Sequence, residues 1–215
     1  MANRLVNDKD NATVFPVAEA LFGNLSLSSN FGEMRGAGDL WLAAGNPLGA
    51  NAADTTDDIL YGIALDAAAL IEAGQGLEIF AQGNTGATAN NKRIKAFLNP
   101  TMTGQTVSAG GIITGGHVTA GTPIVDTGTW TSADNAVGWQ ITMMLMKYGA
   151  LGSNTQVAQG SPITGSTHLG IQAAQFLTLN EAAIINIVIT GASYTTGAAG
   201  DVLLNMFGVS GMNNP

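Results

Sequence analysis

Apolar and polar residues alternate with a period of two along most of the chain, and this predicts strands rather than helices. In "DDILYGIALD", Ile59, Tyr61, Ile63 and Leu65 fall on one face, and Leu60, Gly62 and Ala64 on the other. After the glycine-rich turn "AGQGL", Leu77, Ile79 and Ala81 share a face opposite Glu78 and Gln82. The segment "AVGWQITMMLMKYG" predicts a long strand. Val137, Trp139, Ile141, Met143 and Leu145 line one side, and Gln140, Thr142, Met144, Met146 and Tyr148 line the other. Apolar groups on both sides predict a strand with its core on one face and a partner or second layer on the other. "AAIINIVITGAS" aligns Ile185, Ile187 and Ile189. "GDVLLNMFGVS" sets Val202, Leu204 and Met206 against Leu203, Asn205 and Phe207.

Residues 100–135 and 150–180 are rich in Gly, Thr, Ser and Asn, and read as long irregular connections holding short strands at most. The best helical stretch, Val17 to Phe22, is too short to anchor a helical fold. Many short strands with turn signals predict an all-β protein, an antiparallel β-sandwich over residues 57–215, either immunoglobulin-like or jelly-roll-like, with the long connections favouring the jelly-roll-like form. Residues 1–56 alternate poorly. They read either as an N-terminal arm that docks on a neighbour or on the sandwich, or as two ordinary first strands of the same domain.

Composition narrows the range of functions. Charged residues make up only 10% of the 215, against roughly 25% in typical domains. Few charges mean little mutual repulsion, which suits a chain packed into an assembly. The net charge of −8 argues against a general nucleic-acid binder, which needs a basic surface to displace counterions. With no Cys there is neither a disulfide framework nor a thiolate metal site. "MANRLVNDKDN" has no apolar core of a signal peptide, and no apolar run reaches the ~18 residues of a membrane span. These features predict a protein made in a cytoplasm, with no membrane partner.

The catalytic inventory is thin. His117 in "TGGHVTAG" and His168 in "GSTHLG" could serve as bases, but no serine elbow or cysteine nucleophile accompanies them. Asp8, Asp10 and Asn11 imitate the start of a calcium loop but lack its turn glycine and closing Glu. Asp54, Asp57 and Asp58 in "ADTTDD" could attract a cation, though acids leading into a strand are ordinary. No phosphate-binding motif occurs. The expectation is a non-enzyme with no catalytic residue, no cofactor and no metal. Of the tryptophans, Trp139 is in phase with the core, and Trp130 is the better candidate for a surface contact.

"NNKRIKAFLNP" gathers Lys92, Arg93 and Lys95, three of the chain's seven basic residues. Ile94, Ala96 and Leu98 alternate with Arg93, Lys95 and Phe97. Arg93 and Lys95 therefore read as a wet face of one strand, with Lys92 at the strand's mouth reaching water. Their expected ionic partner is protein, either a neighbouring subunit or the acidic "DTTDD" stretch.

The stretch "LYGIALDAAALIEAGQGLEIFAQGNTGATANNKRIKAFLNP" resembles a segment recurrent in virion proteins of tailed bacteriophages. There a strand, an "L…G-x-L-x-I-x-A-x-G" unit and "A-N-N-K-x-[IL]-K" follow in order. "GWQITMMLMKYGALGSNTQ" is similar to that family's tryptophan-led strand, and "INIVITGASYTTGAAGDVLLNMFGV" to its final hairpin. The resemblance covers residues 57–210. It implies a jelly-roll-like domain in a phage structural protein, often trimeric, with no activity. The expected role is a capsid decoration or cement protein on the outer surface of the capsid, assembled in the host cytoplasm. Its expected partners are the major capsid protein and copies of itself, as a homotrimer. The alternative is a tail-fibre or receptor-binding module contacting host surface glycans. For the cement role the expected interface residues are Phe22, Phe31, Trp41, Met144, Met146, Arg93 and Lys95.

Overall fold

The computed structural model describes residues 40–67, 69–70, 73–86, 88–130, 137–150, 152–165, 167–168, 171–195 and 197–212. Phe22, Phe31, the Val17 to Phe22 stretch and the calcium-like Asp8 to Asn11 lie outside them. The strands are β1 (Leu40–Ala50), β2 (Asp57–Leu65), β3 (Gly76–Thr85), β4 (Lys92–Leu98), β5 (Thr101–Thr103), β6 (Thr106–Val107), β7 (Ile112–Thr114) and β8 (His117–Ala120). They continue with β9 (Pro123–Asp126), β10 (Gly138–Lys147), β11 (Gln156–Thr164), β12 (Thr167–His168), β13 (Gln175–Leu177), β14 (Ile185–Ser193) and β15 (Val202–Met212).

Two antiparallel sheets pack as a jelly-roll-like sandwich. Sheet A runs β1-β15-β3-β10-β11-β12, with β13 also on β11. Sheet B runs β5-β8-β2-β14-β4-β9, with β7 on β2 and β6 on β7. Residues 40–50, for which an arm and an ordinary strand were both expected, form the edge strand β1, paired with β15 from Leu40↔Ser210 to Ala50↔Leu203.

The core lies between the sheets. β10 supplies Trp139, Ile141, Met143 and Leu145, β3 supplies Leu77, Ile79 and Ala81, and β14 supplies Ile185, Ile187 and Ile189. Each fully buried aliphatic side chain contributes about 1.5–3 kcal/mol through its removal from water. A smaller cluster sits on the outer face of sheet B, where Ile59, Phe97, Ile113, Val118 and Val188 meet beneath the β5–β8 segment.

Two bulges correct the faces expected from alternation. In β2 the register shifts so that Ile189 opposes Tyr61 and Thr190 opposes Ile59. The extra residue, Leu60, therefore joins Tyr61 in the main core, and Ile59 turns to the outer cluster. In β15 the shift falls between Leu204 and Met206. Phe207 then enters the core with Val202 and Leu204, while Met206 faces outward. A bulge inserts one residue and inverts the phase of everything after it.

The strand β11 lies inside a stretch expected to be an irregular connection. It pairs with β10 along its whole length, from Trp139↔Thr164 to Lys147↔Gln156. Its inward positions are Gln156, Ala158, Gly160 and Pro162, which carry almost no apolar signal. Small residues are required there because β9 lies against them. A Cβ on Gly160 would stand 2.2 Å from Val125 Cγ2.

Two other glycines give a graded test. A Cβ on Gly83 would fall 1.8 Å from the Leu203 carbonyl oxygen and 2.7 Å from the Trp139 ring. A Cβ on Gly208 would first meet the Phe80 ring, at 2.2 Å. Backbone cannot yield, whereas the half-buried Phe80 can swing outward. Gly83→Ala is expected to cost about 1–3 kcal/mol as overpacking, with Gly208→Ala costing less. Thermal melts of the two variants check the order, and equal losses would contradict it.

Candidate interaction surface

Every Lys and Arg among the described residues is engaged within the chain. The Arg93 guanidinium grips Asp126 on β9 through both Nε and Nη2. Lys95 Nζ donates to Asp57 Oδ2 at 2.6 Å and lies 6.0 Å from the Tyr194 ring centre. Lys92, wholly buried, donates to the carbonyl oxygens of Thr88 at 2.7 Å and Asn90 at 3.1 Å. Lys147, also buried, donates to Glu181 Oε1 at 2.5 Å, and Gln156 Nε2 donates to the same oxygen. The expected wet face at Arg93 and Lys95 is corrected accordingly. Lys95 is buried and bound to the "DTTDD" stretch, Arg93 is half-buried, and Lys92 does not reach water.

These pairings set the acid response. Burial opposes ionisation of Asp126, but the Arg93 guanidinium and the Gly128 N–H outweigh it and hold the carboxyl low. Burial likewise opposes ionisation of Glu181 and Asp201. Lys147 and Gln156 overcome it at Glu181, and Thr88, Asn90 and Ser193 do so at Asp201. Asp58 goes the other way, raised chiefly by burial. A lowered folded pKa contributes stability that is full above the unfolded carboxyl value of about 4 and is lost as pH falls through the folded one. Asp58 instead regains stability on acidification. With Asp54 also held low by the Thr56 hydroxyl and N–H, four lowered carboxyls stand against one, and Tm is expected to fall as pH drops from about 5 towards about 2. A Tm that rises steadily over that range would contradict the pairings.

The outer face of sheet A is of a different kind. Cross-strand register builds it in rows. One row runs Met212, Gly76, Met146, Val157 and Phe176 across β15, β3, β10, β11 and β13. Phe176 is 77% exposed, and Tyr148 beside it meets its ring edge-on at 6.0 Å between centres. The next row carries Ser210, Glu78, Met144 and Gln159. The third carries Leu42, Gly208, Phe80, Thr142 and Ser161, with the Phe80 ring lying over Gly208. Glu78 is the only charged side chain in these rows. Apolar groups on this scale, without covering charge, mark an interaction surface. Met144 and Met146 add polarizable, adaptable contact.

Of the expected interface residues, Met144 (43% exposed) and Met146 (half-buried) lie on this face. Trp41 belongs to β1, opposite Val209 of β15. Arg93 and Lys95 lie on the outer side of sheet B, on the far side of the sandwich. The structure therefore does not bring them together with the methionines. Phe176 and Tyr148 escape a sequence reading as a pair, because β11 and its flanking turns separate them along the chain.

The histidine and acid candidates fall elsewhere. His117 on β8 borders a 260 Å3 recess with Asp54 and Asp58. Thr56 Oγ1 lies 2.5 Å from Asp54 Oδ1 and 3.0 Å from Asp58 Oδ1. His168 lies on β12, opposite Ile163. Among the described residues, no group of three or more His, Asp or Glu could hold a metal ion. Trp139 is buried in the core, and Trp130 pairs its backbone with Lys92 and packs against the core edge. No helix of the described residues is long and apolar enough to cross a membrane.

No protein-family model and no curated protein matches the sequence. Among solved structures, a protein of unknown function from Shewanella oneidensis MR-1 is similar at TM-score 0.38 and 13% identity, over 81% of this chain and 76% of its own. Peanut lectin bound to a nine-residue peptide is similar at TM-score 0.36 and 10% identity, over 83% of this chain and 100% of its own. The fold assignment rests on the strand pairing, not on these likenesses.

Proposed function

We propose that this chain is a non-enzymatic structural protein of a tailed-phage virion, a decoration or cement protein that binds the outer surface of the capsid shell. One observation carries the reading: the outer face of sheet A exposes the large apolar side chains Leu42, Met144 and Phe176, with Tyr148 beside them, and Glu78 is the only charge in their rows. A rigid sheet that presents such a face suits permanent association with another protein, since obligate interfaces are apolar and charge-poor. The engagement of every described Lys and Arg adds support. It leaves no basic patch among the described residues for nucleic acid, so the proposed partners are the major capsid protein and further copies of this chain.

Adding the purified protein to capsids that lack it tests the proposal. Expected are saturable binding and a higher temperature of capsid disruption. Unchanged capsid stability with no bound protein would remove the reading. Labelled protein found only at the tail end of virions would favour the receptor-contact alternative instead.

A further inference from the structure

At the end of sheet A away from Phe176, the outer face changes character. A cavity of 390 Å3 opens there, bordered by Gln82 and Asn84 of β3, Gln140 of β10 and Asn205 of the β15 bulge. Among the described residues, no charged side chain lines it. Apolar lining comes from Trp139, Ile163 and Met206.

Among the described residues, the four primary amides make few and long contacts with the protein itself. Gln82 Nε2 reaches the Met206 thioether sulfur, at 3.5 Å. Gln140 Nε2 lies 3.3 Å from Thr142 Oγ1, and Asn84 Nδ2 lies 3.3 Å from the Thr85 carbonyl oxygen. These are long for hydrogen bonds, and a thioether is a weak acceptor. The Asn205 Oδ1 atom is buried and has no partner. A buried acceptor without a donor is rare and needs a physical reason. The bulge that puts Asn205 in this position is the kind of irregularity that re-aims a side chain at a site.

We propose that this cavity is a binding site for a neutral saccharide. A carboxamide both donates and accepts, as does a sugar hydroxyl, so convergent amides match a polyhydroxylated ring. Among the described lining residues there is no cation to favour phosphate, sulfate or acidic sugars, and no carboxylate to favour amines or metal ions. Ile163 and Met206, both only partly buried, provide apolar surface for the C–H face of the ring, over the buried Trp139. The volume lies within the range of small-ligand sites. The proposal is independent of the assembly role, because it uses the opposite end of the sheet and different side chains.

The test uses the full-length protein and a panel of neutral methyl glycosides (glucose, galactose, mannose, N-acetylglucosamine), with saturation-transfer NMR and titration as readouts. At least one member is expected to bind saturably in the millimolar range. Gln140→Ala is expected to weaken that binding at least fivefold while leaving the melting curve in place. Asn205→Asp keeps the shape but adds a charge, and is expected to abolish binding. Three results would overturn the proposal. They are no saturable signal from any neutral glycoside, binding indifferent to Gln140→Ala, and a preference for sulfate or glucuronate over every neutral member.

Discussion

Lys147→Met is expected to destabilise the protein by about 3–5 kcal/mol, the cost of leaving a buried charge without its partner. Lys147 and Glu181 side chains are 0% and 2% exposed, so water screens neither. Lys147 occupies a core-facing position at the end of β10, directly opposite Gln156 of β11. Removing the ammonium leaves the Glu181 carboxylate with the Gln156 amide as its remaining side-chain donor, and its Oε2 already lacks a partner. For a chain of this size the loss corresponds to about 6–20 °C in Tm.

The double variant Lys147→Met with Glu181→Leu separates charge from packing. It removes both ions, so most of the loss is expected to return. Gln156 stays satisfied in that background, because its amide also donates to the Leu179 carbonyl at 3.2 Å and accepts from the Leu179 N–H at 2.8 Å. Urea unfolding of the single and double variants measures the coupling. A double variant as unstable as the sum of its singles would show that the two groups do not act as a pair.

The second large effect concerns association. Met144→Lys together with Phe176→Lys places two cations on the apolar face of sheet A. Both positions are exposed, at 43% and 77%, so the cost to the isolated fold is small, within about 1 kcal/mol. The new ammonium at position 144 would also stand beside Glu78, its cross-strand neighbour, and be locally tolerated. Against an apolar partner surface the same charges must be desolvated without a counter-ion, which is costly. Capsid binding is expected to fall at least a hundredfold while circular dichroism and Tm stay near those of the parent. The matching change on the other sheet, Arg93→Gln, tests whether the basic cluster takes part. It is expected to leave capsid binding unchanged and to lower stability, since Arg93 serves Asp126 within the chain. Retained binding by the double lysine variant would place the contact elsewhere on the molecule.

Much of the sandwich was legible in the chain. The alternation of β3, β10 and β14 assigned their inward residues correctly, because an uninterrupted strand keeps its phase. It also separated Met144 and Met146 from Ile141, Met143 and Leu145. The turn glycines and scarce helix signals were enough for an all-β sandwich. What failed did so for identifiable reasons. Alternation cannot register a bulge, so Ile59 and Phe207 were assigned to the wrong faces. It cannot see a strand whose core face is Gln156, Ala158, Gly160 and Pro162, because there the neighbour, Val125, fills the space.

The sequence by itself determined the class of fold, the inward faces of the regular strands and the poverty of charge. These are properties of local pattern and composition. Only the tertiary structure decided the fate of the basic residues. Arg93, Lys95 and Lys147 find their carboxylates 33, 38 and 34 residues away, and strand order, not spacing, brings the pairs together. The same holds for the amides of Gln82, Asn84, Gln140 and Asn205. They come from three strands and converge because β3 lies between β10 and β15, an arrangement fixed by packing two sheets around one core.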